Sequence, residues 1–125
     1  AVERKRSGKY NCAQSVACTY CGVAGVEAET MRHLTNAFGA GMGSADGTCG
    51  ALVGAGVVLG MVRRDRAAAM RDMKSLVTRF KAQNGSVTCR ELKGIDTGTP
   101  LRHCNDCVAD AAALLEEQLS CAEGI

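Results

Sequence analysis

The apolar run from Cys49 to Val62 constrains this chain more than any other stretch, because Gly50, Gly54, Gly56 and Gly60 are threaded through it. The run is shorter than the ~20 residues needed to cross a bilayer, so it reads as a buried core helix. Where side chains are missing, neighbouring helices can approach to backbone distance, and this helix is expected at the centre of the fold. The remaining composition agrees. The aromatic residues are Tyr10, Tyr20, Phe38 and Phe80 alone, so the core must be built from closely packed Ala, Val, Leu, Met and Gly, which favours helices over strands. With 125 residues, one proline and 46% hydrophobic content, residues 1–125 fit one domain with a core of its own. The expected architecture is all-α: a compact single-domain bundle of about five to six helices around the glycine-rich one.

A short charged helix is expected from Val2 to about Gly8, and a second from Cys12 to about Cys21, with Cys18 and Cys21 turned away from the face that carries Cys12, Val16 and Tyr20. A third runs from Glu27 to Phe38 on a stripe of Met31, Leu34 and Phe38 and ends in glycine. The segment Gly39 to Gly47 reads as a glycine-dependent loop that lets backbone approach a neighbouring group. After the central helix, Asp65 caps a helix whose inward face is Met70, Met73, Val77 and Phe80 and whose end is Asn84-Gly85. Thr88 to Gly94 is a short helix. Thr99-Pro100 opens the last one, which runs to about Cys121 with Cys104, Val108, Ala111, Leu115 and Leu119 on one face.

Three cysteines directly follow residues suited to starting a helix: Asn11-Cys12, Thr48-Cys49 and Thr88-Cys89. A helix opens with unpaired N–H groups and a partial positive charge, which favour thiolate over thiol, and thiolate is the form that attacks disulfides and binds metals. Gln14 and Glu91 stand three residues after Asn11 and Thr88, the spacing of a capping box, with the Thr88 signal the cleaner. For any one of these cysteines the bland alternative is a small apolar thiol filling a gap. Taken with the inward Cys104, the positions Cys12, Cys49, Cys89 and Cys104 are expected to converge as redox or metal-ligating sulfurs, with Gly41, Gly43 and Gly50 as the backbone that would approach a cofactor.

Here the chain resembles the family of redox-active proteins named for a C_GCAxxG_C_C pattern. The resemblance rests on Tyr10-Asn-Cys-Ala-Gln14, Phe38-Gly-Ala-Gly-Met-Gly43, Cys49-Gly-Ala-Leu-Val-Gly54 with Ala55 and Gly60, Gly85-Ser-Val-Thr-Cys-Arg-Glu-Leu92, and Cys104 ahead of Val108 and Leu114-Leu-Glu-Glu117. It implies an all-helical domain whose characteristic cysteines are Cys12, Cys49, Cys89 and Cys104, in a redox role. A related domain in split-Soret cytochromes, which carry an iron–sulfur cluster beside haem, adds weight to a metal-bound state. Haem itself is not expected, because there is no Cys-x-x-Cys-His: His103 precedes Cys104, and Val108 follows Cys107.

The extra cysteines are Cys18, Cys21, Cys107 and Cys121. Cys18-x-x-Cys21 and Cys104-x-x-Cys107 have spacing seen in thioredoxin-like and zinc sites, but neither lies in a βαβ context, so they read as helix-face thiols, with a zinc site built from both pairs as the alternative. His33 and His103 read as polar surface residues, with a ligand or acid–base role as the alternative, and Asp46 as a helix-cap neighbour of Cys49, with tuning of its thiol as the alternative. No serine sits in a nucleophile elbow, and the glycine loop lacks the Lys-Ser/Thr ending of a phosphate-binding loop, so hydrolase and kinase chemistry have no support. Net charge is +2, and the basic clusters at Arg4-Lys5-Arg6 and Arg63 to Arg66 lack interleaved aromatics, which argues against nucleic acid. No apolar leader precedes the first charged residues, so the chain is expected to be cytoplasmic.

Two functions compete. In the first, the cysteines exchange electrons with a redox partner protein, through dithiol and disulfide forms or as iron–sulfur ligands. In the second, they only stabilise a structural or binding module, as disulfides or a closed zinc site. A glycine-faced helix could also pack against a second copy in a homodimer.

Overall fold

The computed structural model describes the backbone of residues 1–123 and the side chains of residues 1–120. The helices in chain order are α1 (Val2–Arg6), α2 (Cys12–Thr19), α3 (Cys21–Ala24), α4 (Ala28–Leu34), the single turn α5 (Gly39–Met42), α6 (Gly50–Arg63), α7 (Arg66–Asn84), α8 (Cys89–Lys93) and α9 (Cys104–Glu123). The fold is all-α and single-domain, and α6 is its centre, packed against α2, α3, α5, α7 and α9. No helix among the described residues is long and apolar enough to cross a membrane.

The glycine spacing of α6 accounts for that central position. A Cβ on Gly54 would overlap the carbonyl of Ala13, and one on Gly50 would overlap the Cys12 sulfur and lie 2.8 Å from the Phe38 carbonyl oxygen. The two helices therefore meet backbone to backbone, and α2 is buried from Cys12 through Cys18. Gly56 faces Met73 of α7, whereas Gly60 opens onto empty space. Around α6 the core is completed by Val16, Met31, Leu76, Phe80, Val108 and Leu115, each fully buried. Burying an aliphatic side chain of this kind contributes about 1.5–3 kcal/mol.

Several boundaries differ from those expected. The second helix breaks at Tyr20, so Cys21 opens α3 instead of ending α2. The third is shorter: α4 ends at Leu34, which is 53% exposed, and of its expected stripe only Met31 is buried. On α7 the buried residues are Leu76 and Phe80, and Met70 is 66% exposed, because α6 and α9 cover a face turned from the expected one. Asp65 does cap α7, accepting from the Ala68 amide at 3.0 Å, and Gly85 ends it in the left-handed conformation.

The last helix begins at Cys104, not at Pro100. The amides of Leu101 and Arg102 both donate to the Leu92 carbonyl, at 2.9 and 3.2 Å, and this draws the segment flat across α8. A Cβ on Gly94 would overlap the Thr99 carbonyl, so the crossing is tight.

The two ends of the α6 glycine series should respond oppositely to the same substitution. Gly54→Ala is expected to destabilise by about 1–3 kcal/mol through overpacking, and Gly60→Ala to stabilise by about 0.5–1 kcal/mol through lower unfolded-state entropy. Urea midpoints at unchanged m-value measure both, and a neutral Gly54→Ala would disprove the backbone-to-backbone contact.

Candidate functional site: a five-cysteine cavity

Cys12 is the first residue of α2 and is set by a two-way cap. The Gln14 amide donates to Asn11 Oδ1 at 2.8 Å, and the Asn11 amide donates to Gln14 Oε1 at 2.9 Å. Gln14 Nε2 then donates to the Arg32 carbonyl and to Asn36 Oδ1, at 3.0 and 2.7 Å, so a buried polar network ties the opening of α2 to the end of α4. The cap expected to be cleaner, at Thr88, is absent: the Thr88 side chain makes no capping bond, and Glu91 accepts from the Ser86 hydroxyl instead. Thr88 is held by a single antiparallel bridge to Thr48.

That bridge brings the next two cysteines together. The Cys49 amide donates to the Val87 carbonyl at 2.7 Å, and the Cys89 amide donates to the Gly47 carbonyl at 3.0 Å, so the two segments run as a short ladder with Cys49 and Cys89 at its end. Asp46 belongs to this ladder and does not cap α6. Its carboxylate accepts from Arg90 Nε at 2.8 Å, beside the Arg90 amide bond to the Ala45 carbonyl at 2.7 Å. The glycine loop folds over the other side, with Ala40, Met42 and Ala45 at φ of 51°, 66° and 67° although none is glycine. Gly41, at φ 62°, has no room for a side chain, since a Cβ there would lie 2.5 Å from that of Cys89.

The last two sulfurs come from α9. The Cys107 amide donates to the His103 carbonyl at 2.9 Å, which places Cys104 and Cys107 in the opening of that helix, laid over α8 by the Leu92 bonds. The result is one cavity of about 20 Å³ lined by Cys12, Cys49, Cys89, Cys104 and Cys107, with room for about one water molecule. Gly50 and Leu92 complete its apolar wall, and Lys93 and Arg102 supply its cations.

All four cysteines singled out from sequence reach this cavity, and a fifth, Cys107, joins them. Its signal was Cys104-x-x-Cys107, whose meaning depends on where the helix starts. With α9 opening at Cys104, both sulfurs lie in its first turns and Cys107 is only 2% exposed.

The sulfurs do not share one ionisation state. Cys49, the residue immediately before α6, is lowered to about 7. The largest cause is a hydrogen bond from the Cys107 thiol; burial opposes it, and the Ala51 and Leu52 amides and the Lys93 ammonium assist. The same bond, with burial, pushes the Cys107 thiol far up. Cys12 is raised by burial, partly offset by the Ala40 amide and reinforced by repulsion from Cys49 and Cys104. Cys89 is raised by burial against the pull of Lys93. Of Cys12, Cys49, Cys89 and Cys107, Cys49 is the one drawn toward thiolate, because for the others burial costs more than a helix terminus returns.

Other expectations resolve by position. Cys18 and Cys21 lie near each other and near Arg4 and Arg32, outside the cavity, so the two Cys-x-x-Cys pairs do not come together as a zinc site. The side chain of Cys121 lies outside the described residues. Gly50 lines the cavity and Gly41 backs Cys89, whereas Gly43 is exposed with nothing around it. His33 is exposed beside Glu29 at 3.7 Å, and His103 is exposed at the start of α9. Every cysteine with a described side chain is free of disulfides. Among the described residues, no three Cys, His, Asp or Glu side chains converge to hold a single metal ion.

A family model described as Putative redox-active protein (C_GCAxxG_C_C) matches residues 10–118. No curated protein and no solved structure matches the chain.

The Cys107 hydrogen bond makes the nucleophilicity of Cys49 depend on a second sulfur. Alkylation of Cys49 by iodoacetamide should rise through pH about 7, and Cys107→Ala should move that midpoint upward and slow the reaction several-fold at neutral pH. Peptide-resolved mass spectrometry across a pH series measures both. An unchanged midpoint in Cys107→Ala would remove the coupling.

Proposed function

The chain belongs to the C_GCAxxG_C_C family of redox-active proteins, and from that premise we propose that the cavity performs thiol–disulfide exchange, with Cys49 as the attacking sulfur and Cys107 as the resolving one. The observation that carries this reading is that both sulfurs line one small cavity at the opening of α6, with Cys49 drawn toward thiolate and the Cys107 thiol held protonated. Backbone amides and a nearby cation at a helix start are the environment in which a thiol becomes nucleophilic near neutral pH.

The chemistry balances without a further reagent. The Cys49 thiolate attacks one sulfur of a disulfide substrate; a bond forms between the two, the substrate S–S bond breaks, and half of the substrate leaves as thiolate. Cys107 yields its proton to that leaving group, and its sulfur attacks Cys49, displacing the second half, which takes a proton from solvent. Two protein thiols are oxidised to one disulfide, and the substrate disulfide is reduced by two electrons to two thiols. Cys12 and Cys89, held protonated by burial, do not compete for the substrate.

The donor set favours a second reading. Cys12, Cys49, Cys89 and Cys104 come from four segments and match the four-thiolate requirement of an iron–sulfur cluster, which would supply one-electron transfer. The donor chemistry fits. The cavity, at about 20 Å³, would have to widen to receive a cluster.

Separate measurements test the two readings. In Cys107→Ser the substrate half should remain attached to Cys49 as a mixed disulfide detectable by mass, and Cys49→Ser should abolish it; a stable adduct on another cysteine overturns the assignment. Anaerobic reconstitution with ferrous iron and sulfide should give brown protein with stoichiometric iron and sulfide if the cluster forms, and colourless, iron-free protein ends that reading.

A further inference from the structure

The cavity wall contains two cations and no acidic side chain, and the cations are not equivalent. Arg102 is engaged, with Nε and Nη2 donating to the two carboxylate oxygens of Asp110 at 3.0 and 3.2 Å. Lys93, half-buried at the end of α8, has no carboxylate within ion-pair distance among the described residues. Its charge acts on both Cys49 and Cys89, drawing each toward thiolate.

Sulfur and Leu92 are what this half-buried cation faces in the wall, and no carboxylate of the lining balances it. Supplying a counter-charge there is favourable, and an incoming molecule can bring it. We propose that Lys93 is the specificity determinant of the site and selects small thiol-reactive substrates that carry a negative charge, such as carboxylate-bearing disulfides. The inference rests on Cys49 being the attacking sulfur.

Iodoacetate and iodoacetamide alkylate the same sulfur and are nearly equal in size, but only iodoacetate is an anion. Thiolate population affects both rates equally, so their ratio isolates the charge of the incoming group. Measured at Cys49 in the full chain by peptide-resolved mass spectrometry, the iodoacetate to iodoacetamide ratio should fall about fivefold in Lys93→Gln and be retained in Lys93→Arg. In the unsubstituted protein the ratio should also decline as salt rises from about 0.02 to 0.5 M. A ratio indifferent to salt, or unchanged in Lys93→Gln while Cys49 still reacts quickly, overturns the role of Lys93 and leaves the exchange chemistry standing. If neither reagent modifies Cys49 faster than free cysteine, the exchange reading fails and the inference with it.

Discussion

The contact on which the rest depends is the backbone-to-backbone approach of α2 and α6 at Gly54 and Ala13. It is an absence of atoms that allows it: no side chain at Gly50 or Gly54 separates the two helices, so their N-termini lie side by side and Cys12 rests on the opening of α6. Once that pair is fixed, α9 and α7 can close around α6 with aliphatic side chains, and the ladder at Thr48 and Thr88 needs only to bring α8 to the same end. Sulfurs distant in sequence meet because four helix openings share one end of a bundle.

Much of this was legible in the sequence, and what was not has identifiable physical reasons. The all-α fold followed from a core short of aromatics and a glycine-spaced apolar run. Asn11 with Gln14, Asp65, and Asn84-Gly85 worked as local signals because the groups they satisfy are backbone groups within the same turn. Thr88 does open α8, but its side chain makes no capping bond, and Glu91 accepts from Ser86 instead. Thr99-Pro100 misled for the complementary reason: it is locally a good helix start, but a longer-range partner, the Leu92 carbonyl, claims the amides of Leu101 and Arg102 first. Misplacing the start of α9 hid Cys107, since a residue's distance from a helix opening carries meaning only when the opening is known. Exposed Leu34 and Met70 show the same limit on faces: periodicity fixes which residues share a stripe, and neighbours decide which stripe is covered.

The electrostatics of the cavity follow from burial. A helix terminus favours thiolate at each of several cysteines taken singly, but burial, reinforced by repulsion between neighbouring sulfurs, raises Cys12 and Cys89, while Cys49 is drawn down. Cys49 is held there by the Cys107 thiol hydrogen bond, the one cause among those acting on it that large burial does not outweigh. Reactivity is concentrated on one atom because burial keeps its neighbours neutral while the Cys107 thiol stabilises its charge.

The glycine loop beside Cys12 has a mechanical consequence. Ala40, Met42 and Ala45 sit in a backbone region that L-residues enter at a cost of about 1–2 kcal/mol each, and the bonds from Gly47, Cys89 and Arg90 hold them there. The segment is therefore a loaded spring whose catch is the ladder: the backbone bonds that align Cys49 with Cys89 are also the ones that balance its strain.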